Sequence, residues 1–573
     1  MSRNKKTANK YDSQKNLDRK NNSSKFRSKK VEIDVDKDDI NIADLKGNKY
    51  TKKGTNDPSW YSHNAQLLKD AASFPFALPL GTEVDMKYGQ PSGITISNGN
   101  QSIAGLAVME FMPTIGVAQG SSADPINVCA NANYTFIRRN LSTYANYDAP
   151  DLMTYLLAMD SAYMIYATMV RIYGLMQASY VYNRYLPREI VRALGFSYDN
   201  LILNLADFRA QINAYAYKLA QFCVPSDMDY YKRHLWMCTN IFEDSSTVKA
   251  QIYAYKLNGF YKYAEQTDGP AKLIYTPLVN YTSSSTQQIT YEQVINILND
   301  AILPLMESQD CIAMSGDIMK SWGTAKIYTV SPIAENYLTM PVMSYEVLSQ
   351  FENATLLGEP LTVTDTVNNV VYSPDITQRT DLDFGGVGLQ QNLAFTGIPD
   401  DASTNQIQGN ILKSRFMLNM HKNDVTPDDV MVATRLSNIV QVVGQATVSS
   451  SPVGYYTLGS VGSEVGLTIA LWSFSRISNK WQSSKVANVE TVNYITASTS
   501  WGYPMLSWIS QFDWFPYVLV AYVDNSTNIS VYRIQDVDNY TLMDYNDLRM
   551  LHETAMLSLF DSPAMHNMAN AAK

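Results

Sequence analysis

The residues that could do chemistry are few in this 573-residue chain, and their spacing matches no common enzyme motif. Asp383 opens the sequence DFGGVG, which imitates the metal-binding triplet of protein kinases, but no HRD loop or VAIK lysine accompanies it. His552 and Glu553 do not continue into the HExxH pattern of a zinc helix, and the five histidines stand singly. No phosphate-binding GxxxxGK(S/T) loop and no GxSxG elbow occurs. The sequence therefore predicts a protein that is not an enzyme and that holds no metal or cofactor.

The composition points to polar contacts and a reducing environment. Charged residues make up 17% of the chain, below the usual quarter, whereas tyrosines number 39. Tyrosine has an apolar ring and a polar hydroxyl, which suits partly hydrated contacts between subunits. A large ordinary core would explain the same composition, so both interpretations stay open. The cysteines are sparse and form no CxxC pair, which indicates neither a disulfide framework nor a zinc site; they are Cys129, Cys223, Cys238 and Cys311. Synthesis in a reducing cytoplasm is the simplest inference.

The charge of the chain is distributed unevenly. Residues 1–30 contain eight lysines, three arginines and two aspartates, a formal charge of +9, so the remainder carries −18 to give the net charge of −9. Residues 1–56 are rich in Lys, Asn, Ser and Asp and hold too few apolar residues to offset the entropy lost on ordering. A disordered basic arm of this kind is typical of nucleic-acid binding.

The elements that follow divide into a helical part and a later β part. Asp57 and Pro58 are typical of a helix start, and a short helix is predicted through Leu67, Leu68 and Ala71. Apolar residues on every turn of residues 151–195 predict a buried helix pair that stops at Gly195. Further helices are predicted at 201–222, 247–264, 291–306 and in the amphipathic YNDLRMLHETAMLSLF. After residue 322 strands are predicted in AKIYTV, EPLTVTDTVNNVVYS, NIVQVVGQATVSS, GLTIALWSFSRI and YVLVAYV with ISVYRI. The predicted fold class is therefore α+β, with segregated helices and strands.

Several stretches of the N-terminal half resemble the capsid proteins of picobirnaviruses. They are NDPSWYSHNAQLLKDAASFPFALPLG (56–81), MEFMPTIG (109–116), NYTFIRRNLSTYANYDAPDLMTYLLAMDSAYMIYATMVRIYG (133–174) and AMSGDIMKSWG (313–323). No such motif is found from about residue 328 to 520, which fits a variable, outward-facing region. The resemblance implies the coat protein of a small non-enveloped virus with a double-stranded RNA genome.

The resemblance also implies an organisation for the chain. Symmetric dimers would build an icosahedral shell, each subunit having a mainly helical shell domain followed by a mainly β protruding domain. The expected parts are a disordered, RNA-facing basic arm (1–56), the shell domain (57–327), a β-rich protruding domain (328–520), and a strand and C-terminal helix that return to the shell (521–573). The expected partners are further copies of the chain, viral RNA, and a host-cell surface or membrane during entry.

The arm would then face the genome inside the virion. Its cations are the predicted RNA-binding residues: Arg3, Lys5, Lys6, Lys10, Lys15, Arg19, Lys20, Lys25, Arg27, Lys29 and Lys30. Lysine outnumbers arginine and aromatic residues are few, so we expect contact with phosphates independent of sequence. A solubilising or localisation tail is the alternative.

One single-turnover reaction remains open at Asn64-Ala65. A buried asparagine can close its side-chain amide onto its own carbonyl and split the following peptide, given a nearby acid and a dry site. Some related coats are thought to mature by such a cut near the arm, and the small Ala65 eases the geometry. Asn64 is also an ordinary N-cap for a helix from Ala65 to Ser73, and the sequence names no acid partner.

Two other functions compete with a coat protein. One is a non-viral RNA-binding or scaffolding protein with a cationic tail, which would stay a discrete soluble molecule instead of forming particles. The other is a polymerase or protease, but neither a Gly-Asp-Asp metal site nor a catalytic triad is recognisable. The sequence favours the coat protein.

Overall fold

The computed structural model has a mixed α+β fold, which confirms the predicted fold class. It describes residues 60–61, 63–74, 80, 84–85, 100–101, 103–142, 146–178, 186–247, 249–267, 269–282, 287–365, 370–379, 388–397, 416–448, 451–477, 480–491, 494–496, 502–524 and 528–561. The chain divides into two compact units, Met1–Ala77 and Leu78–Lys573. The predicted arm, residues 1–56, lies outside the described residues.

Thirteen helices occur in the described residues, one in the first unit and twelve in the second. They are α1 (Ala65–Ala72), α2 (Pro125–Asn140), α3 (Ala149–Gln177), α4 (Leu186–Ala193), α5 (Tyr198–Leu203), α6 (Leu205–Leu219), α7 (Asp229–Thr239), α8 (Tyr291–Glu307), α9 (Gln309–Trp322), α10 (Tyr345–Glu352), α11 (Pro427–Ala433), α12 (Gly502–Ile509) and α13 (Tyr545–Leu559). Nowhere in this part of the chain does a helix combine the length and hydropathy needed to cross a bilayer.

The strands all belong to the second unit. They are β1 (Val84–Asp85), β2 (Asn100–Gln101), β3 (Ala104–Pro113), β4 (Ala118–Gln119), β5 (Ile241–Glu243), β6 (Ile252–Leu257), β7 (Gly259–Gln266), β8 (Gly269–Pro277), β9 (Pro341–Met343), β10 (Val363–Asp365), β11 (Val370–Tyr372), β12 (Thr377–Arg379), β13 (Gly388–Gln391), β14 (Ala394–Gly397), β15 (Phe416–Leu418), β16 (Ile439–Val448), β17 (Ser451–Ser460), β18 (Glu464–Ile477), β19 (Lys480–Val489), β20 (Tyr494–Thr496), β21 (Val518–Asp524), β22 (Asn528–Ile534) and β23 (Thr541–Met543).

Helix α3 is the buried axis of the second unit, as its sequence predicts. Its first turn contains Pro150, and the backbone N–H of Asp148 donates to the Asp151 carboxylate at 3.1 Å. Every residue from Leu152 to Met176 is buried. The single cation, Arg171, is compensated because its Nη1 donates to the carbonyl oxygens of Met237 (3.3 Å), Asn240 (3.2 Å) and Tyr255 (2.8 Å). A helix that is apolar all round thus becomes a core element. Gly195, which closes the predicted pair, has a φ of +95°.

A six-stranded sheet joins the two halves of the chain. Its order is β19-β18-β3-β6-β5-β9, in which β3 pairs antiparallel with β18 and parallel with β6. Strand β3 is buried along nearly all its length because it lies at the centre of the sheet. The outer strands are β19 and β9. The sheet therefore takes β9, β18 and β19 from the region after residue 328 and β3, β5 and β6 from the region before it.

Two predictions of secondary structure are wrong. Residues 247–264, predicted as a helix, instead contain strand β6 (Ile252–Leu257) and most of strand β7 (Gly259–Gln266). The buried tyrosines Tyr253, Tyr255, Tyr261 and Tyr263 recur with the period of two that a strand requires, and sheet pairing outweighs the helix propensity of the Ala and Lys between them. Residues 325–330, predicted as a strand, form only a 3-10 turn at Thr324–Lys326 and a single bridge, because Tyr328 packs against Tyr163 of α3.

The other β-region predictions are confirmed as elements. The predicted strands near residues 363–372, 439–448, 464–477 and 518–534 are β10, β11, β16, β18, β21 and β22, and the predicted C-terminal helix is α13. Helix α13 packs on the helical part, where the Asn133 side-chain amide reaches the Phe560 carbonyl at 3.5 Å and the Tyr230 ring lies 4.3 Å from the Phe560 ring. The domain boundaries at 56, 327 and 520 stay predictions, and β9, β18 and β19 of the region after residue 328 belong to the central sheet.

Candidate functional site

The predicted RNA-binding residues all lie outside the described residues. These are Arg3, Lys5, Lys6, Lys10, Lys15, Arg19, Lys20, Lys25, Arg27, Lys29 and Lys30. Their role therefore rests on the charge of the arm, and it stays a prediction.

Asn64 is the N-cap of helix α1. Its side-chain oxygen accepts a hydrogen bond from the Gln66 backbone N–H at 3.0 Å, and its backbone oxygen accepts from the Leu67 N–H at 3.1 Å. These bonds satisfy donors that a helix start otherwise leaves unpaired. The cap prediction is confirmed, and the helix begins at Ala65; Asp57 and Pro58, its other predicted start, lie outside the described residues.

The junction has parts of the chemistry that cleavage would need. The Leu67 N–H is directed at the Asn64 carbonyl oxygen, where a developing negative charge would form. A carboxylate lies one turn along the helix, where Asp70 accepts from the Gln66 side chain at 2.7 Å. Residues 63–74 are exposed in the isolated chain, so the dry surroundings of a cleavage site are not provided within the described part of this unit.

A buried ionic cluster in the second unit was not found by sequence reasoning. Asp160 of α3, Arg233 and His234 of α7, and Glu464 at the start of β18 meet where the helical part contacts the sheet. The His234 Nδ1 lies 2.7 Å from the Asp160 carboxylate and its Nε2 lies 3.5 Å from Glu464. Arg233 binds both oxygens of Glu464 through Nε and Nη2, the latter at 3.3 Å. The cluster thus ties three elements with charge-assisted bonds.

Burial and pairing set the protonation of this cluster. Burial favours the neutral His234 ring, but Asp160 and Glu464 outweigh it and raise the pKa of His234 to about 9. Burial would also raise the pKa of Glu464, yet Arg233 and His234 hold it far below its usual range. For Asp160 burial dominates and raises the pKa despite His234. The charged forms of Glu464, Arg233 and His234 are therefore the stable ones at neutral pH.

A second buried histidine lies close by and behaves in the opposite way. The Nδ1 atom of His552, on α13, lies 2.8 Å from the Ser460 hydroxyl oxygen. The Nε2 atom of the same ring lies 3.1 Å from the Thr434 carbonyl oxygen. Because a carbonyl only accepts, Nε2 carries the proton and Nδ1 accepts from Ser460. Burial, with the positive charge of Arg435 nearby, lowers the pKa of His552 to about 4. Ser460 is fully buried, so this pair cannot reach a substrate and serves packing.

The sequence carried only a weak signal for these clusters. Asp160 interrupts an apolar helix, as Arg171 does, and a charge in such a place needs a partner. Its partner His234 lies 74 residues away, so no local pattern identifies it. Within the described ranges, His, Cys, Asp and Glu form no group suited to a metal ion. Burial raises the pKa of Cys129 and Cys238 to about 12, which leaves both as inert thiols.

Comparisons with known proteins agree with one another. The family model for the picobirnavirus capsid protein matches residues 60–498. The capsid protein precursor of a human picobirnavirus (strain Human/Thailand/Hy005102/-) is 27% identical over 529 residues, which cover 89% of this chain and 91% of the relative. The crystal structure of a picobirnavirus capsid matches with a TM-score of 0.72 at 21% identity, over 88% of this chain and 98% of that one.

The body is an α+β fold whose buried charges serve packing, and this fold is similar to that of a picobirnavirus capsid. The family match covers more than half of the chain. The chain belongs to the picobirnavirus capsid protein family, and its place is the virion. This membership overturns the alternative of a non-viral RNA-binding or scaffolding protein.

Proposed function

We propose that this chain assembles as symmetric dimers into an icosahedral shell and packages viral RNA through its N-terminal arm. The observation that carries the proposal is the family match over residues 60–498, which includes most of the described body. A closed shell made of one chain requires self-complementary surfaces, which two-fold dimers supply. Expression of the full chain followed by negative-stain microscopy tests assembly: regular hollow shells support it, and discrete monomers contradict it.

The arm supplies the charge for packaging. The +9 of residues 1–30 is joined to a body of the opposite sign, so the arm is the part of the chain that phosphates attract. Lysines with few aromatic residues between them make salt-sensitive contacts with no preference for sequence. We therefore infer the RNA partner from the positive charge of the arm. The sparse cysteines, which form no CxxC pair, indicate synthesis in the host cytoplasm.

Deletion of residues 1–30 separates assembly from packaging. We expect shells of normal size that lose most of their RNA, because the body carries the subunit contacts and the arm carries the charge. RNA content is measured by absorbance and extraction across a salt series. The matched control keeps the arm length but replaces its eleven cations with Gln. Shells that retain wild-type RNA in both variants contradict the arm assignment, and insoluble truncated protein would favour a solubilising tail.

We propose further that Asn64 cuts the chain once, after assembly. Its side-chain nitrogen attacks its own carbonyl carbon, the bond to the Ala65 nitrogen breaks, and the displaced proton passes to that nitrogen; water then opens the cyclic imide. The Leu67 N–H supports the carbonyl oxygen, and contacts of the shell would exclude the water that reaches the exposed junction. The human picobirnavirus relative is called a precursor, which agrees with processing in that protein.

The substitution Asn64→Asp tests the cut. A carboxylate caps a helix as well as an amide does, so α1 survives while the nitrogen nucleophile is lost. Intact-mass measurement of aged wild-type particles should give a body starting at Ala65 and a separate arm peptide, and the variant should give one full-length mass. A single full-length mass in both proteins would leave Asn64 as a helix cap alone.

The β-rich region from 328 to 520, apart from its central-sheet strands β9, β18 and β19, is proposed to form the outward protrusion. Its support is the presence of small sheets, such as β14-β17-β16, outside the central sheet. An outward position would make this region the contact with a host-cell surface or membrane during entry.

A further inference from the structure

A polar cleft opens in the second unit beside the small sheet β12-β13-β4. Its other walls come from strands β11 and β17, and its volume is about 770 Å³. That volume lies within the range of roughly 300–1,000 Å³ that sites for small molecules occupy. Five side-chain amides line it, and we call it the amide cleft after them: Gln119, Gln378, Gln390, Gln391 and Asn392. Amides both donate and accept hydrogen bonds, so the cleft suits a ligand that does the same.

The register of the sheet places two of these amides side by side. Gln390 of β13 lies directly opposite Gln119 of β4 in an antiparallel pair, so the two side chains project to the same face. The opposite face is the buried one, where Leu389 and Gln391 lie. Gln119 is exposed and Gln390 is half-buried, and within the described part of the chain neither side-chain amide makes a hydrogen bond. Both keep their donors and acceptors for a ligand.

Two other amides of the cleft are held by their own chain. The Gln391 side chain donates to the Tyr261 hydroxyl at 2.6 Å, and the Gln378 side chain donates to the Asp151 carboxylate at 2.8 Å. Tyr261 belongs to β7 and Asp151 to α3, so the walls are fixed to the core of the unit. Walls that are already ordered lose little conformational entropy when a ligand binds.

The backbone around the cleft is closed to a further strand. At the edge strand β4, the Gln119 N–H donates to the Asp124 carboxylate at 2.8 Å, and the Gln119 carbonyl accepts from Arg379 at 3.4 Å. On β11, the Val371 carbonyl accepts from the Asn392 side chain at 3.4 Å. A peptide that binds by strand addition needs such backbone groups for itself. The cleft must therefore recognise its ligand through side chains.

The charge of the cleft does not suit a polyanion. Among the lining residues that the structure describes, Arg379 is the one charged side chain. Its stem packs on its own chain, since a Cβ on Gly120 would lie 2.8 Å from the Cβ and Cδ of Arg379. A nucleic acid is bound by several cations that neutralise successive phosphates, and one arginine does not provide them.

Carboxylates on the segments around the cleft do not make it a cation site. Asp124 accepts from two backbone N–H groups at 2.8 and 2.9 Å, and Asp375 accepts from the Tyr275 N–H at 2.8 Å. Asp151 is held by its amide partner, and Asp365 of β10 is buried. None of these four carboxylates lines the cleft. The lining therefore favours a neutral, hydrogen-bonding ligand.

We propose that the amide cleft binds a neutral oligosaccharide, with Gln119 and Gln390 as its hydrogen-bonding residues. Each sugar hydroxyl both donates and accepts, as an amide does, and neighbouring hydroxyls can bond both polar atoms of one amide. The C–H face of a sugar ring is apolar and can pack on Tyr372 and on Val371, which is 56% exposed. The inference deepens the proposed contact with a host-cell surface and rests on it for the source of the sugar.

An array of neutral, sialylated and sulfated oligosaccharides tests the ligand class. The full-length chain is applied both unassembled and as particles, and we expect selective binding to neutral oligosaccharides in both forms. Binding to no oligosaccharide, or to sialylated and sulfated ones alone, overturns the proposal.

Two substitutions test the site itself. Gln119→Ala and Gln390→Ala should each lower the affinity for the best neutral oligosaccharide on the array roughly fivefold, because each removes one set of hydrogen bonds. The matched control is Gln309→Ala, which removes an exposed glutamine of α9 outside the cleft and should bind as wild type. Urea unfolding checks that the variants keep their fold. Wild-type affinity in both cleft variants overturns the proposal.

Measurement of both forms separates this proposal from the shell function. Shells that form and package RNA while neither they nor the free chain bind a neutral oligosaccharide overturn the cleft site and leave the shell function standing. Selective binding by the free chain that is lost in particles supports the cleft site and contradicts the outward position of this region.

Discussion

Two buried histidines act on stability in opposite directions. The pKa of His234 is raised to about 9 from an ordinary 6.5 by its carboxylate partners, so the folded chain holds a proton that the unfolded chain releases. The pKa of His552 is lowered from 6.5 to about 4 by burial and by Arg435. Between these two pH values the unfolded chain therefore binds a proton that the folded chain does not bind. Each residue is fully buried, and neither effect is screened by solvent.

By themselves, the two histidines stabilise the folded chain most near pH 6.5. The His234 contribution is complete below pH 6.5 and is lost as the pH rises to about 9, and the His552 contribution is complete above 6.5 and is lost as the pH falls to about 4. Across each of these two pH ranges the free energy of unfolding changes by roughly 3 kcal/mol, because one pKa unit corresponds to about 1.4 kcal/mol. Glu464, whose pKa is depressed, adds to the acid loss below pH 4.5.

Urea unfolding of the unassembled chain across this pH range measures how the free energy of unfolding falls on the acid side and on the alkaline side. His234→Gln should lower the overall free energy of unfolding and flatten the fall on the alkaline side alone, whereas His552→Gln should flatten the fall on the acid side alone. Each variant is the control for the other. Unchanged slopes in both variants would mean that the two histidines titrate in the folded chain as they do in water.

At the scale of elements, close packing makes α3 intolerant of added atoms at one point. Gly174 lies against Thr339 of the segment that leads to β9, while Gly316 of α9 has no neighbouring atom within 4 Å of a Cβ. Both glycines are in helices, where alanine is intrinsically favoured by about 1 kcal/mol. The same substitution should therefore have opposite signs at the two sites.

Gly174→Ala should lower the free energy of unfolding by about 1–3 kcal/mol, because the methyl group meets backbone that cannot move away cheaply. Gly316→Ala should raise it by roughly 0.5–1 kcal/mol. Denaturant unfolding of the two variants and the wild type measures the difference. Equal changes of the same sign would show that the approach of Thr339 to α3 does not constrain the helix.

At the scale of the whole molecule, the helical and β parts are interleaved through the central sheet. Strand β18 pairs with β3 along Glu464–Ser473, and its first residue binds Arg233 of the helical part. Removal of the region after residue 328 would therefore uncover β3 and leave the ionic cluster unpaired. The two parts are expected to unfold as one cooperative unit.

Limited proteolysis of intact particles tests which part faces outward. We expect the first cuts within residues 398–410, a polar stretch with Gly and Pro that lies outside the described residues, because exposed polar loops are cleaved before packed helices. Fragments are identified by mass. First cuts within α3 would invert the proposed arrangement of shell and protrusion, and heat-opened particles provide the control in which all sites become accessible.

The sequence by itself determined the features that depend on neighbouring residues. The apolar run of α3, the cap at Asn64, the alternating strands near β18 and the basic arm are local patterns, and the motifs shared with the capsid family are local as well. Only the tertiary structure decided that β6 and β7 are strands, since their pairing with β3 and β8 outweighs the propensity of their residues. It alone brought Asp160, His234 and Glu464 together, and it alone placed β9 at the outer edge of the central sheet. Contacts between distant residues depend on how the chain closes, and burial and electrostatics become defined only when it has closed.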